Sequence, residues 1–129
     1  MENSVETLSK YRMERAQEML DASRENLSIG QYGTSLNRSY YAVFHAMRAV
    51  NILNGYDSSK HSGVIAYFNK NFLKENKLDR KLYKIIKDTS YFREKSDYDD
   101  FFVIDKQEAE RQLENAKIFL KSVSEYLYP

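Results

Sequence analysis

Apolar residues recur at steps of three and four along nearly the whole chain, the period of an amphipathic helix rather than of a strand. Val5, Leu8, Tyr11, Ala16, Met19, Ala22 and Leu27, with charged residues between them, predict a first helix over 4–27. Ser28 followed by Gln31 has the spacing of a capping box, so a second helix is expected to start there and run to about residue 54, where Gly55 stops it. At about 1.5 Å per residue such a helix spans roughly 36 Å, enough to cross a small domain. The turn cluster GYDSSK ends in candidate N-caps Ser58 and Ser59, after which Val64, Ile65, Phe68 and Phe72 share one face of a short third helix. Asp79 is placed to cap a fourth helix carrying Leu82, Ile85, Ile86, Thr89 and Phe92 on one face. KSDYDDFFVID is dense in side chains that compete with the helical backbone and reads as a loop. Asp105 and Glu108 form a second capping box, opening a last helix over 106–127 that buries Ala109, Leu113, Ala116, Leu120, Val123 and Leu127. Two long helices, a short pair and another long helix with brief connections predict an all-α fold, an up-and-down antiparallel bundle of about five helices.

Composition narrows the class. The 129 residues, 42% hydrophobic and 14% aromatic, suit one domain over 1–129 with a single core. Twenty Lys and Arg against nineteen Asp and Glu leave a net charge of +1, so no global field demands nucleic acid or an anionic membrane, and any such partner must be met by a local patch. Without cysteine there is neither a disulfide framework nor a thiolate metal site, which suits a reducing cytosol. No run of 18 apolar residues or signal-peptide pattern occurs, so a soluble, cytoplasmic protein with no membrane partner is expected.

The stretch NRSYYAVFHAMRAV raises the question of chemistry, because it sets arginines, tyrosines and one of only two histidines among small and aromatic residues. At about 100° per residue, Leu36, Tyr40, Val43, Met47 and Val50 form one stripe with Phe44 at its margin, while Arg38, Tyr41, His45, Arg48, Ala49 and Ile52 occupy another. Arg38 and His45 nearly superpose in rotation but lie about 10.5 Å apart along the axis. Their head groups can flank one anion, or the arc can be a solvated stripe with snorkelling stems.

NRSYYAVFHAMRAV, then SKHSGV, then YFREKSDYDDF followed by EAERQLENAKIFL, in that order and spacing, resembles the HEPN domain family over about residues 20–127, closest to its small free-standing bacterial and archaeal members. The resemblance implies a helical bundle that pairs as a homodimer and works beside a minimal nucleotidyltransferase in a toxin–antitoxin-type pair. It also implies a nucleotide or RNA ligand and no metal or other cofactor. Many members are metal-independent RNases whose site is an Arg, a spacer of four to six residues and a His. Arg38 through His45 meets the loose pattern, but in the middle of the second helix. The segment matching the usual place holds Arg93, Asp97 and Tyr98 and no histidine. The leading expectation is therefore a binding or partner module with Arg38, Tyr41, His45, Arg93, Asp97 and Tyr98 lining one polar site. The alternatives are an RNase toxin using Arg38, His45 or Arg93 catalytically, with His45 or His61 supplying the proton transfer, and a structural oligomerisation domain without a ligand.

Three other features carry two readings each. His61, at the start of the third helix, is expected to bind a backbone carbonyl or cap that helix, neutral if buried. Arg93 and Asp97 have the spacing of an ion pair, and Asp97, Asp99 and Asp100 that of a solvated acidic loop. Lys70, Lys74, Lys77, Arg80, Lys81, Lys84 and Lys87 can line a phosphate backbone beside Tyr67, Tyr83 and Tyr91, or form a charged outer face.

Overall fold

A computed structural model of the chain describes residues 4–129. The described residues form five α-helices and no strand: α1 Ser4–Ser28, α2 Tyr32–Asn51, α3 His61–Phe68, α4 Leu82–Tyr98 and α5 Lys106–Leu127. A 3₁₀ turn, Ile52–Asn54, extends α2, and a π turn, Asn69–Leu73, extends α3. The fold is the expected up-and-down bundle, with α2 at its centre in contact with α1, α3, α4 and α5. Tyr40, Met47, Phe68, Phe72 and Phe119 are the bulk of a core from which water is excluded.

Three chain reversals share one mechanism. At Gly30 (φ 79°) the Gln31 and Gly30 amides donate to the carbonyls of Asn26 and Leu27, and the same pair of bonds recurs around Gly55 (φ 81°) and around Asn76 (φ 58°). These are Schellman stops, with the left-handed residue that glycine or asparagine supplies at least cost. Gly55 thus ends the second helical segment as expected. Ser28 does not open it: its hydroxyl donates to the Glu25 carbonyl inside the last turn of α1, and α2 begins without a side-chain cap. Ser58 accepts from the Lys60 amide, and Asp79 from the Lys81 amide, so both shape turns ahead of α3 and α4 rather than capping them. Asp105 does cap α5, accepting from the Glu108 amide at 2.8 Å, while the Glu108 carboxylate accepts from Arg111 and Gln112 instead of closing the box.

The α1–α2 seam departs most from the hydrophobic pattern. Tyr11 is exposed, whereas Ser9, Arg12 and Ser23 are buried. Ser9, Ala16 and Ser23 on α1 recur every seven residues, as do Ser35, Ala42 and Ala49 on α2, and the antiparallel register sets them opposite one another. Ser9 Oγ donates to the Ala49 carbonyl at 2.6 Å, and Ser23 Oγ bonds the Ser35 carbonyl and Ser39 Oγ. Small side chains let the two backbones approach, and each buried hydroxyl finds a partner. The second arc of α2 is therefore no solvated stripe: Ala49 and Ile52 are buried, and Tyr41, His45 and Arg48 partly so.

The segment read as a loop after Glu94 remains helical to Tyr98, and irregular chain is confined to the stretch before Asp105. The physical reason is that Asp97 spends its carboxylate on side chains, Arg93 one turn back and Asn37 on α2, instead of on its own backbone.

Candidate functional site

Arg93 projects from the inner face of α4 and is 7% exposed. Its guanidinium carbon lies 4.8 Å from the centre of the Tyr40 ring and 5.9 Å from those of Tyr41 and Tyr98, the reach of cation–π attraction. Its Nη1 stands 3.8 Å from Asp97 Oδ2, an ion pair too long for a hydrogen bond, and its buried Nε has no partner. Asp97 Oδ2 accepts instead from Asn37 Nδ2 at 3.1 Å, and Asn37 Oδ1 accepts from Arg38. Arg38, Asn37 and Asp97, with Gly33, Thr34 and Ser96, line an open polar hollow of about 460 Å³ at the α2–α4 seam. Gly33 permits this approach, since a Cβ there would stand 2.9 Å from Ser96 Oγ.

On the other side of Tyr40 stands His61. The phenol oxygen and His61 Nδ1 are 2.8 Å apart, and the imidazole lies 4.4 Å from the Phe44 ring centre. Burial raises the Tyr40 phenol to about 12 against the opposing charge of Arg93. The phenol thus keeps its proton and shares one hydrogen bond with Nδ1, whose direction is set by the His61 tautomer. Burial first, and the Arg93 charge second, hold His61 below its ordinary 6.5 against the pull of Glu94, so the ring is neutral at pH 7. His61 thus bonds a side chain from another helix, not the carbonyl or cap expected of it.

His45 belongs to a second cluster. Its ring centre is 6.2 Å from that of Tyr41, but the charges around it are Arg15, Arg48 and Arg12. Burial and these three arginines lower it from 6.5 to about 4, with Glu18 opposing. Arg12 Nη2 and Arg48 Nη2 both donate to Asp57 Oδ1, at 2.8 and 3.0 Å, pinning the 55–60 turn onto the α1–α2 hairpin. Their hydrogen bonds, Arg48's first, hold the Asp57 carboxyl below its usual value.

The structure therefore brings Arg38, Tyr41, Arg93, Asp97 and Tyr98 to one end of α2 and α4, and sets His45 among Arg12 and Arg15 of α1 and Arg48 of its own helix. Among the described residues, Arg38 and His45 share no contact. Sequence reasoning did not place Tyr40 and Asn37 in the site, and offered His61 only as a proton-transfer group of the RNase alternative. Tyr40 sits in the apolar stripe, and the available signal was that a buried tyrosine needs a partner for its hydroxyl.

The chain matches the HEPN domain family over residues 9–126. It belongs to that family. A Methanocaldococcus jannaschii protein named "Putative toxin MJ0142" is 35% identical over 115 residues, which are 89% of this chain and 78% of that one. A UPF0332 protein of Thermotoga maritima is 30% identical over 125 residues, 97% of this chain and 95% of its own. The crystal structure of TT1696 from Thermus thermophilus superposes with a TM-score of 0.77 at 18% identity, over 92% of this chain and 97% of that one, a likeness of fold. The HEPN domain thus fills the bundle from the buried Ser9 to Tyr126, and both polar clusters lie inside it. Among the described residues, no helix is long and apolar enough to cross a membrane.

Proposed function

We propose that this HEPN protein is toxin-like, in keeping with the names of its relatives, and that it binds a nucleotide or RNA phosphate at the site built on Arg93 without cutting the strand efficiently. The observation that carries this reading is Arg93 itself. It is a buried guanidinium with an unpartnered Nε, held by three tyrosine rings and paired only at long range with Asp97, which a phosphate reaching the polar hollow can displace. The chemistry for turnover is thin. His45 is remote and a weak base, and Tyr40 at about 12 is a weak acid at pH 7. We also assign a homodimer, for which the exposure of Phe101 and Val103 after α4 gives an apolar contact, and a nucleotidyltransferase partner, which rests on the family resemblance.

A second reading, metal-independent RNA cleavage, is favoured by one contact, the Tyr40–His61 bond that sets an imidazole beside Arg93. Calorimetric titration of AMP and of a short RNA, with cleavage followed in EDTA, separates the two. Binding without cleavage, weakened at least tenfold in Arg93→Ala and less in Arg93→Lys, is the expected result. Cleavage that falls about 10² or more in His61→Gln, with the helical circular dichroism retained, would replace binding by catalysis.

A further inference from the structure

Charge is segregated along the chain in a way the Arg93 site does not use. Residues 70–90 hold seven basic side chains against three acidic, a balance of +4 in a chain whose total is +1, so the remainder carries −3. Two of the acids are spent locally, Glu75 on Lys77 and Asp88 on Lys84, and Asp79 shapes the turn before α4. Among the described residues, Lys74, Lys81 and Lys87 have no ion-pair partner.

The outer face of α4 adds aromatic rings to this charge. At about 100° per residue Tyr83, Lys87, Tyr91, Lys95 and Tyr98 fall within an arc of about 120°, away from the buried Leu82, Ile86, Thr89 and Arg93. Lys87 Nζ lies 5.9 Å from the Tyr83 ring centre and Lys95 Nζ 5.9 Å from that of Tyr91, so rings and cations alternate at four-residue steps. Tyr83, Tyr91 and Tyr98 are 38%, 52% and 77% exposed. Between α3 and α4, Tyr83, Lys87, Ser90 and Tyr91, with Ile65 and Glu94, line a hollow of about 290 Å³. Tyr67 is not part of this face, because its ring stacks on Tyr56 at 4.1 Å.

The geometry points to a track for single-stranded nucleic acid along the outer face of α4, with bases stacked on Tyr83 and Tyr91 and the backbone held by Lys87 and the lysines of the preceding turn. The two rings are eight residues, about 12 Å, apart along the axis, the length of three or four bases stacked at about 3.4 Å. Aromatic platforms interleaved with cations are what sequence-tolerant single-strand binding requires, and a duplex, its bases already stacked, has no use for the rings. Glu94 closes the hollow at its far end. A carboxylate repels phosphate but accepts from base amino groups, so the strand presents base edges there. Beyond it Asp99 and Asp100 end the basic surface. The track rests on the nucleotide reading of the Arg93 site, toward which it runs on the same helix, and Tyr98 touches both.

The test is fluorescence anisotropy of a labelled 12-nucleotide RNA, the same sequence as DNA, and an RNA duplex, at low salt, with AMP titrated separately by calorimetry. The exposed pair Tyr83→Ser/Tyr91→Ser should weaken the single-stranded 12-mer about tenfold per ring. Lys87→Gln should lower the logarithmic salt slope by about 0.7. Neither change should alter AMP binding. Equal affinity for RNA and DNA assigns the track to single strands in general, and a preference for RNA assigns it to RNA. Unchanged 12-mer affinity in the double variant, or a duplex bound as tightly as the single strand, would overturn the track. AMP binding insensitive to Arg93→Ala would instead overturn the Arg93 reading.

Discussion

Acidification from pH 6.5 toward 4 should destabilise the protein through His45. The ring is held neutral by burial and by Arg15, Arg48 and Arg12, with a folded-state value of about 4 against 6.5. Between those two values the unfolded chain binds the proton and the folded one does not, so stability is full above about 6.5 and falls as the pH approaches 4. At about 1.36 kcal/mol per pH unit the ceiling is about 3.4 kcal/mol. His45 is only half-buried, and water and salt screen the arginines, so a loss of about 1–2 kcal/mol is expected. His61 titrates in the same direction and adds a smaller share, whereas Asp57, held below 3.8, loses its contribution only under more acidic conditions. Urea unfolding followed by circular dichroism at pH 7, 6, 5 and 4.5 should show the midpoint falling by about 0.5–1 M. The same series in His45→Gln should be nearly flat, apart from the part due to His61. A wild-type midpoint constant between pH 6.5 and 4.5, or a variant with the full wild-type slope, would refute the account of this cluster.

Three other outcomes follow from particular contacts. Gly33→Ala should change stability by less than about 1 kcal/mol, because the new Cβ crowds only the Ser96 hydroxyl, which can rotate away, and alanine gains helix propensity. Thermal unfolding would show this, and a loss of several kcal/mol would mean that the α2–α4 approach cannot give. Asp57→Asn should cost about 1–2 kcal/mol, since two guanidinium groups lose their shared charged acceptor, one of them buried, and the loss should be smaller in high salt. Phe101→Ser should shift a sedimenting dimer toward monomer with the fold intact, since Phe101 is 95% exposed and packs on nothing in its own chain; a wholly monomeric wild type at micromolar concentration would remove the dimer.

What could be read from the sequence is what depends on near neighbours. Helix periodicity, the Gly55 stop and the Asp105 cap are settled within a few residues, and the α2 core stripe from Leu36 to Val50 is buried throughout. Arg12 and Tyr11 exchange their expected places because the α1–α2 seam selects small and hydrogen-bonding side chains, and a salt bridge to Asp57, 45 residues away, makes the burial of Arg12 tolerable. The helix persists through Asp97 and Tyr98 because Asn37, 60 residues distant, takes up the carboxylate. For the same reason Arg93, Asp97 and Tyr98 were visible as family positions while Tyr40 and Asn37 were not. Tyr40 looks like core and His61 like a turn residue until α2, α3 and α4 come together.

The seven-residue register of small side chains along the α1–α2 seam also sets an order of events during folding. Ser23 and Ser35 are separated by only 12 residues across the Gly30 reversal, whereas Ser9 and Ala49 are separated by 40. Closing the short loop costs less entropy, so the hairpin is expected to zip from the reversal outward, with the Ser23–Ser35 end formed in the transition state and the Ser9–Ala49 end joined later. Substitutions near Gly30 should then slow folding, and those near Ala49 should chiefly speed unfolding. The 55–60 turn, tied to the late end by Asp57, would be the last part of the hairpin to settle and the first to open.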